Sequence, residues 1–337
     1  MVTIKEMAQE LGVSTTTVSN VIHGKTKEVS PANVERIQKI LKKYDYTPNI
    51  NARNLASRRS RIIGLVVKRG FMKNRNRFTD QFIGGILGAV EERVREKGYY
   101  LMVYSVNDVH QVQQLTMSWN MDGLITSGFV EGDIRYLRER YKHPIAIIDD
   151  YDTNGLGNCA NIRIDDRKAE YELTKYVIGC GHRKIVFLAD NLVNLDRQRF
   201  LGYCAAMEEA GIPEEEQRFI KIRNSDKGVM VNEQEIYEAS FLYTAFVCSS
   251  DYYASRIMNM LRDKGRKIPE DVSIAGFDDV ITARLVRPAL TTVRQNIEKK
   301  GYAAVDALIR LIEEGKKEEL IIQDTELVIR DSVKKLN

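Results

Sequence analysis

The sequence predicts an all-α helix-turn-helix head followed by an α/β, two-lobed sensor built on doubly wound parallel sheets. Short amphipathic helices dominate the first ~45 residues, and apolar strand-like runs alternate with amphipathic helices from Ile62 onward. The 337-residue chain also exceeds the ~100–200 residues of one ordinary domain. No run approaches the ~18 apolar residues that span a bilayer, so no membrane role is expected.

The first predicted helix lies at the start of the chain. Ile4, Met7, Ala8 and Leu11 recur at the spacing of one helical face. Gly12 follows, and glycine readily adopts the left-handed conformation that ends many helices. We therefore expect the helix to end at Gly12.

The second predicted helix begins after Ser14, whose hydroxyl can cap it. Val18, Val21 and Ile22 form an apolar face. The opposite face has short polar side chains: Thr15, Thr16, Ser19 and Asn20. Two short helices joined by a tight turn are typical of a motif that places its second helix in the DNA major groove. Thr15, Thr16 and Asn20 would then face base edges.

A third helix is predicted after Ser30 and Pro31, a capping residue followed by a first-turn proline. Its apolar positions are Val34, Ile37, Leu41 and Tyr44. Three short helices that share one small core result.

Positive charge is concentrated at the beginning of the chain. Residues 1–61 have a net charge of +6, whereas the remainder has −2. A basic segment of this size is expected of a module that binds phosphates, although a solvated charged surface is the alternative.

Residues 51–57 form a short helix candidate after Pro48. A helix below ~12 residues is marginal in water, so another element must stabilise it. Leu55 is a lone large aliphatic residue among polar neighbours, as a minor-groove wedge requires; packing under the following domain is the alternative. The phosphate contacts expected around it are Arg53, Arg58, Arg59 and Arg61.

From Ile62 onward the predicted strands and helices alternate. The strands are 62–67, 100–104, 123–126, 145–149, 185–188, 245–248 and 272–277, and the helices are 82–95, 166–180, 197–210, 252–264 and 297–313. This order predicts parallel sheets with helices on both faces, arranged in two lobes. Ligands of such sheets bind at the carboxyl ends of the strands, here in the cleft between the lobes.

Several strings resemble the LacI/GalR family of bacterial transcription regulators. They are TIKEMAQELGVSTTTVSNVIHG, VSPANVERIQKIL and YTPNINARNLASRRSRIIGLV near the start, and MDGLITSG, NIRIDDRKAEYELTKYVIGCGHRKIVFL, RFLGYCAAMEEAGI, IPEDVSIAGFDD and RPALTTVRQN later. The likeness covers nearly the whole chain and implies a periplasmic-binding-protein-like sensor.

The resemblance implies a division of the chain and a set of DNA contacts. The expected domains are a DNA-binding domain at 1–47, a hinge helix and linker at 48–61, and an effector domain at 62–337. Within the latter, one lobe would comprise 62–157 and 290–322, and the other 158–289 and 323–337. The expected DNA contacts are Ser14, Thr15, Thr16, Thr17, Asn20, Tyr46, Asn49, Arg53, Leu55 and Ala56.

Effector contacts are expected at the strand ends of the sensor. Phe78 and Thr79 match family residues that bracket the effector, and Ser250, Asp251 and Asp278 match positions that hydrogen-bond it. The pair Ser249-Ser250 departs from the family's usual small residue followed by Asn, so the hydroxyl-reading pattern can differ here.

Two further candidates rest on side-chain chemistry. The fork of Arg199 can hold hydroxyls or a carboxylate bidentately, and Asp149 ends an apolar strand. For these side chains, and for Asp278 and Ser250, an ion pair between the lobes or a helix cap is the alternative.

Other functions find little support. There is no nucleophile elbow, phosphate loop or dinucleotide-binding glycine motif, so we do not expect an enzyme. The acidic, helical start does not resemble a secretory signal, which argues against an exported solute-binding protein and predicts the cytoplasm. The separated cysteines, Cys159, Cys180, Cys204 and Cys248, suggest free and mostly buried thiols. We expect no cofactor or metal.

The sequence thus predicts a regulator, by default a repressor, that binds near-palindromic double-stranded operator DNA as a homodimer, with a tetramer also open. A small-molecule effector would bind between the lobes. A carbohydrate is the first expectation, and a purine or nucleoside corepressor is the alternative.

Overall fold

The computed structural model describes residues 2–22, 24–46, 59–68, 77–130, 132–153, 155–225, 229–315 and 319–336. The chain divides into two compact units, Met1–Ser60 and Arg61–Asn337. Most of the expected hinge lies outside the described residues. This applies to Asn49, Arg53, Leu55 and Ala56.

The first unit contains the three predicted helices. They are α1 (Ile4–Leu11), α2 (Thr15–Ile22) and α3 (Pro31–Lys43), with a single 3-10 turn at Thr26–Glu28. Thr3 and Glu6 cap α1 reciprocally, and Gly12 ends it with φ 67°. The Ser30 side chain accepts a hydrogen bond from the Asn33 amide at the start of α3. The predicted capping residues are therefore confirmed.

A small apolar core holds the three helices together. Its buried members are Ala8, Val18, Val21 and Ile37, with Met7 and Ile40 also buried. At the surface, the Lys43 ammonium and the Tyr44 hydroxyl donate to the Glu10 carboxylate at 2.8 and 2.7 Å, joining α3 to α1. So few buried residues give a domain of modest stability.

The second unit contains two lobes, each built around a six-stranded sheet. Lobe 1 has the strand order β11-β5-β4-β3-β1-β2, and all its neighbouring strands are parallel. Its strands are β1 (Ile62–Lys68), β2 (Tyr100–Val106), β3 (Gly123–Ser127), β4 (Ile145–Ile148), β5 (Cys159–Ile164) and β11 (Glu319–Gln323). Its helices are α4 (Gln81–Glu96), α5 (Val109–Trp119), α6 (Asp133–Arg140) and α12 (Ile297–Glu314), and a 3-10 turn, Arg77–Thr79, precedes α4.

Lobe 2 has the strand order β12-β10-β9-β8-β6-β7, with only β12 antiparallel to its neighbour. Its strands are β6 (Ile185–Ala189), β7 (Arg218–Lys221), β8 (Ala245–Cys248), β9 (Ser273–Asp278), β10 (Thr291–Gln295) and β12 (Thr325–Val328). Its helices are α7 (Asp166–Gly179), α8 (Asn194–Glu209), α9 (Glu233–Leu242), α10 (Asp251–Asp263) and α11 (Ile281–Leu285), with a 3-10 turn at Glu214–Glu216.

The chain crosses between the lobes later than the sequence suggested. Strand β5 belongs to the lobe 1 sheet and β10 to the lobe 2 sheet, although boundaries near Gly157 and Ala289 had assigned each to the other lobe. The crossings follow β5, β10 and β11. The boundaries near Gly157 and Ala289 each lie in a turn before a strand. Such turns can be recognised in a sequence, but the sheet that the next strand joins cannot.

Apolar cores cover both faces of each sheet, as parallel sheets require. Helices α7 and α8 pack so closely that a Cβ at Gly202 would lie 2.2 Å from the Arg167 carbonyl oxygen. No disulfide joins the four cysteines, and all but Cys204 are buried. Among the described residues, no helix is long and apolar enough to span a membrane.

The head should unfold when one core side chain is truncated. Met7→Ala removes a fully buried side chain, which costs about 2–5 kcal/mol. A three-helix unit with so small a core cannot absorb that loss, so calorimetry should show its transition lowered or abolished while that of the second unit is unchanged. Gln9→Ala, at an exposed position of α1, is the control. Equal effects of the two changes would contradict this assignment of the core.

Candidate functional site

The exposed polar face of the head lies on α2. Thr15 and Thr16 are exposed at its N-terminus, and Ser14 precedes them. The Ser14 hydroxyl accepts a hydrogen bond from the Thr17 amide at 3.0 Å and lies 2.8 Å from the Thr17 hydroxyl. Ser14 therefore caps α2, as predicted, while Thr15 and Thr16 remain accessible to a partner.

Asn20 lies one turn further along α2 and is half-buried. Its side-chain amide donates to Glu28 Oε2 at 3.1 Å. To recognise a base, the Asn20 amide would therefore have to break its hydrogen bond to Glu28 and form one to the base. Tyr46 lies just beyond α3 and is half-buried, with its amide bonded to the Leu41 carbonyl at 2.9 Å.

A cavity of about 450 Å³ lies between the two lobes of the second unit. Its walls come from the carboxyl ends of strands in both sheets, where parallel sheets place their ligands. Lobe 1 contributes residues 79–83 and 127–130 and Asp149, and lobe 2 contributes residues that follow β6, β8, β9 and β10. The expected position of the site at the strand ends is where the cavity lies.

Five of the expected effector residues line this cavity: Thr79, Asp149, Arg199, Ser250 and Asp278. Two do not. Phe78 packs against the core of lobe 1 instead. Asp251 is fully buried, and its carboxylate accepts hydrogen bonds from the Thr292 hydroxyl at 2.6 Å and the Val280 amide at 2.9 Å. Asp251 therefore ties the start of α10 to β10 and the segment after β9.

Arg199 is held rigidly on the lobe 2 wall. Its Nε donates to Asp166 Oδ1 at 2.8 Å and its Nη1 to the Ser249 carbonyl at 2.5 Å. The guanidinium also stacks on Phe277, with Cζ 3.7 Å from the ring centroid, and Nη2 lies 3.8 Å from Asp278 Oδ1. These ion pairs lie within lobe 2, so they are not the ion pair between the lobes that was considered as an alternative.

A buried ammonium group links the two lobes behind the cavity. Lys300 of α12 is fully buried and donates to both oxygens of Asp149, at 2.7 and 2.9 Å. It also donates to Gln295 Oε1 at 2.5 Å, and the Gln295 amide donates to Asp278 Oδ1 at 2.6 Å. One continuous network therefore runs from Asp149 in lobe 1 to Asp278 in lobe 2.

Asn194, the first residue of α8, joins the lobes on another side of the cavity. Its side-chain amide donates to the Phe129 and Asp149 carbonyls at 3.2 and 3.0 Å, and its oxygen accepts from the Tyr151 amide at 3.0 Å. Gln81 and Thr282 form a further bridge, with Oε1 accepting from the hydroxyl at 2.7 Å. The relative position of the lobes is thus fixed by specific hydrogen bonds.

Other polar residues of the wall were missed in the sequence. Asp190 and Asn191 directly follow β6, and Tyr252 and Arg256 lie on α10. The rule that ligands lie at strand ends could have found the first two. Nothing in the sequence pointed to the α10 residues, because their position depends on how that helix packs.

Burial governs the titration of the cavity acids. It raises the pKa of Asp278 to about 7, although Arg199 and Gln295 act in the opposite direction. Burial likewise raises the pKa of Asp196 to about 7. For Asp149 burial also raises the pKa, opposed chiefly by Lys300. Hydrogen-bond donors from a ligand would lower the free-energy cost of keeping these buried carboxyls ionised.

Two family models match the chain. The model of bacterial regulatory proteins of the lacI family matches residues 3–49, and that of the periplasmic binding protein-like domain matches residues 174–333. Among curated relatives, the HTH-type transcriptional repressor PurR of Vibrio atlanticus is 31% identical over 346 residues, and the match covers 100% of this chain and 100% of that protein. The probable HTH-type transcriptional repressor ExuR of Bacillus subtilis is 29% identical, over 100% of this chain and 99% of its own.

Solved structures share the fold. The lac repressor dimer bound to operator and the anti-inducer ONPF superposes with a TM-score of 0.84, at 22% identity and over 99% of both chains. A complex of the transcriptional regulator CelR with cellobiose gives 0.71 at 24% identity, over 98% of this chain and 100% of that one.

Removing the buried ammonium should destabilise the second unit strongly. Lys300→Ala leaves the Asp149 carboxylate buried without its cation, which costs about 3–5 kcal/mol. Urea unfolding should show this loss, and Asp149→Asn combined with Lys300→Met should recover much of it. Lys299→Ala, on the exposed face of the same helix, is the control. A loss below about 1 kcal/mol for Lys300→Ala would contradict the role of the pair.

The raised pKa of Asp278 predicts a pH effect. A carboxyl whose pKa is higher in the folded than in the unfolded protein stabilises the fold below its unfolded pKa, and this contribution is lost as the pH rises through about 7. The free energy of unfolding of Asp278→Asn, relative to the wild type, should therefore increase between about pH 5 and 8. The exposed Asp324→Asn serves as the control. A difference that stays constant over this range would refute the shift.

Proposed function

This chain belongs to the lacI family of bacterial regulatory proteins, and from that membership we infer that its head binds operator DNA under the control of an effector bound between the lobes. The proposed division is a DNA-binding domain at 1–47, a hinge at 48–61 and an effector domain from 62, with the lobe crossings after β5, β10 and β11. The relatives are repressors, and we propose the same action here.

The observation that carries the DNA-binding role is the accessible polar face of α2. Thr15 and Thr16 are exposed and unlike the buried Val18 and Val21 of the opposite face. Hydroxyl groups at the start of a recognition helix can bond base edges in the major groove. We propose that these contacts, with Asn20 released from Glu28, read the operator.

Further DNA contacts are proposed from the family resemblance. We propose that Ser14, Thr17 and Tyr46 of the head contact the DNA. In the hinge, the proposed DNA contacts are Asn49, Arg53, Leu55 and Ala56. One recognition helix reads only a few base pairs, so two heads of a homodimer on a near-palindromic site would supply the specificity. One similar structure is a dimer on its operator.

We propose a carbohydrate as the effector. The cavity wall alternates carboxylate acceptors, such as Asp278, with fixed donors, such as the Arg199 guanidinium, and a sugar hydroxyl both donates and accepts. The solved complexes with cellobiose and with ribose are of proteins that share this fold. The polar groups of the wall, such as Arg199 and Asp278, are hydrogen-bonded to neighbouring residues. Such an arrangement favours ligand binding, and we propose no catalytic step at this site. We also propose that the protein acts in the cytoplasm, where its DNA partner is found.

Effector binding would act through the bridges between the lobes. A ligand that bonds Asp149 and Asp278 together competes for the oxygens that Lys300 and Gln295 now occupy. The lobes would then shift relative to one another, which changes the affinity of the paired hinges for DNA. Such coupling is reciprocal and typically amounts to about 1–3 kcal/mol.

Selection from a random DNA library, followed by fluorescence anisotropy, tests DNA recognition. We expect a near-palindromic consensus. Thr16→Ala should weaken binding to the selected site by about tenfold or more, with little change on random DNA, because a base contact contributes about 1–3 kcal/mol. Gln38→Ala, at an exposed neutral position of α3, is the control. A protein that enriches no sequence at physiological ionic strength would refute the proposed function.

A further inference from the structure

The polar wall of the cavity is too wide for one sugar ring. In lobe 2 the wall residues lie at the carboxyl ends of four neighbouring strands of the sheet. Gln295 ends β10, Asp278 ends β9, Ser249 follows β8 and Asp190 follows β6. Neighbouring strands lie ~4.8 Å apart, so three steps span ~14 Å. This exceeds the length of one pyranose ring with its hydroxyl groups.

The cavity volume of about 450 Å³ lies within the ~300–1,000 Å³ that is typical of small-molecule sites. The volume therefore does not restrict the ligand to one ring, and the width of the polar wall carries the inference.

The wall residues fall into two groups. The inner subsite comprises Asp149, Arg199, Asp278 and Gln295, at the ends of β4, β9 and β10 and on α8. The outer subsite comprises Asp190, Asn191, Tyr252 and Arg256, after β6 and on α10. None of the residues that match the family's effector contacts, Phe78, Thr79, Ser250, Asp251 and Asp278, lies in the outer subsite.

Arg256 is the central donor of the outer subsite. Its Nη1 donates to Asn224 Oδ1 at 3.1 Å and to the Tyr252 hydroxyl at 3.2 Å, and Cζ lies 5.4 Å from the Tyr252 ring centroid. Within the described parts of the chain it forms no ion pair with a carboxylate. A half-buried guanidinium held only by neutral oxygens retains free donors for a ligand.

The other residues of the outer subsite complement this donor. Asn191 donates to Asp190 Oδ1 at 2.7 Å and to Asp196 Oδ2 at 3.0 Å, which orients both carboxylates. Neither carboxylate has a salt bridge among the described residues. Acceptors, donors and an aromatic ring side by side are the set of contacts that a sugar ring uses, with its hydroxyls and its apolar face.

We propose that the effector is a disaccharide whose second ring lies in the outer subsite, where Arg256 and Tyr252 determine specificity. The inference rests on the proposed carbohydrate-binding function and adds the size of the ligand and the residues that select it. Arg256 bonds ring or hydroxyl oxygens, Asp190 accepts hydroxyl hydrogens, and the Tyr252 ring packs on the sugar.

Calorimetric titration of the full-length protein tests this with cellobiose, lactose, maltose and trehalose, each beside glucose and galactose. At least one disaccharide should bind about tenfold or more tightly than its component monosaccharides. Arg256→Ala should abolish most of that advantage while changing monosaccharide affinity less than about twofold, because the inner subsite is intact. Tyr252→Ala should act in the same direction, and Arg256→Lys should retain part of the advantage.

Arg262→Ala, on the exposed side of the same helix, is the matched control, and thermal melting of each variant verifies folding. Binding of a monosaccharide without any gain for a disaccharide would overturn the two-subsite proposal and leave the carbohydrate function standing. A disaccharide advantage that survives Arg256→Ala in a folded protein would overturn the role of Arg256. If no sugar in the panel binds, the carbohydrate function fails, and this inference fails with it.

Discussion

The buried ammonium of Lys300 is the constraint on which the effector unit depends. A charge with no exposed surface must be paired, and its pairing with Asp149 and Gln295 brings together α12, the end of β4 and the end of β10. These elements come from both lobes. The ion pair therefore holds in place the walls of the cavity that the ligand is proposed to occupy.

The same region has backbone conformations that side chains other than glycine rarely adopt. Asp149, Asn194 and Asp278 have φ values of 59°, 49° and 113°. Asp149 follows β4, Asn194 begins α8 and Asp278 ends β9. A hydrogen bond between the lobes joins Asn194 to the Asp149 carbonyl, and Gln295 of the same lobe donates to Asp278. These bonds stabilise a geometry that the local chain alone would disfavour.

Much of the fold followed from the sequence. Periodicity and capping residues located the three helices of the head, because amphipathic spacing and caps such as Ser30 act locally. The buried strands β1, β3 and β8 were visible as apolar runs. Strands β5 and β10 were assigned to the other lobe, since β-pairing joins residues far apart in the chain. Of the residues expected to contact the effector, Asp149 and Asp278 line the cavity, whereas Asp251 is buried against Thr292 and Val280.

The sequence by itself determined the class of protein: a basic helical head with an exposed polar face on α2, followed by alternating strands and helices. Only the tertiary structure decided which polar groups face the cavity. A carboxylate can contact a ligand or join two elements of the fold, and its partners from distant parts of the chain decide which. Asp251 has Thr292 as such a partner, and Asp149 has Lys300. The position of Arg256 likewise depends on the packing of α10 against the segment after β7, where Asn224 lies, and local sequence does not encode such long-range contacts.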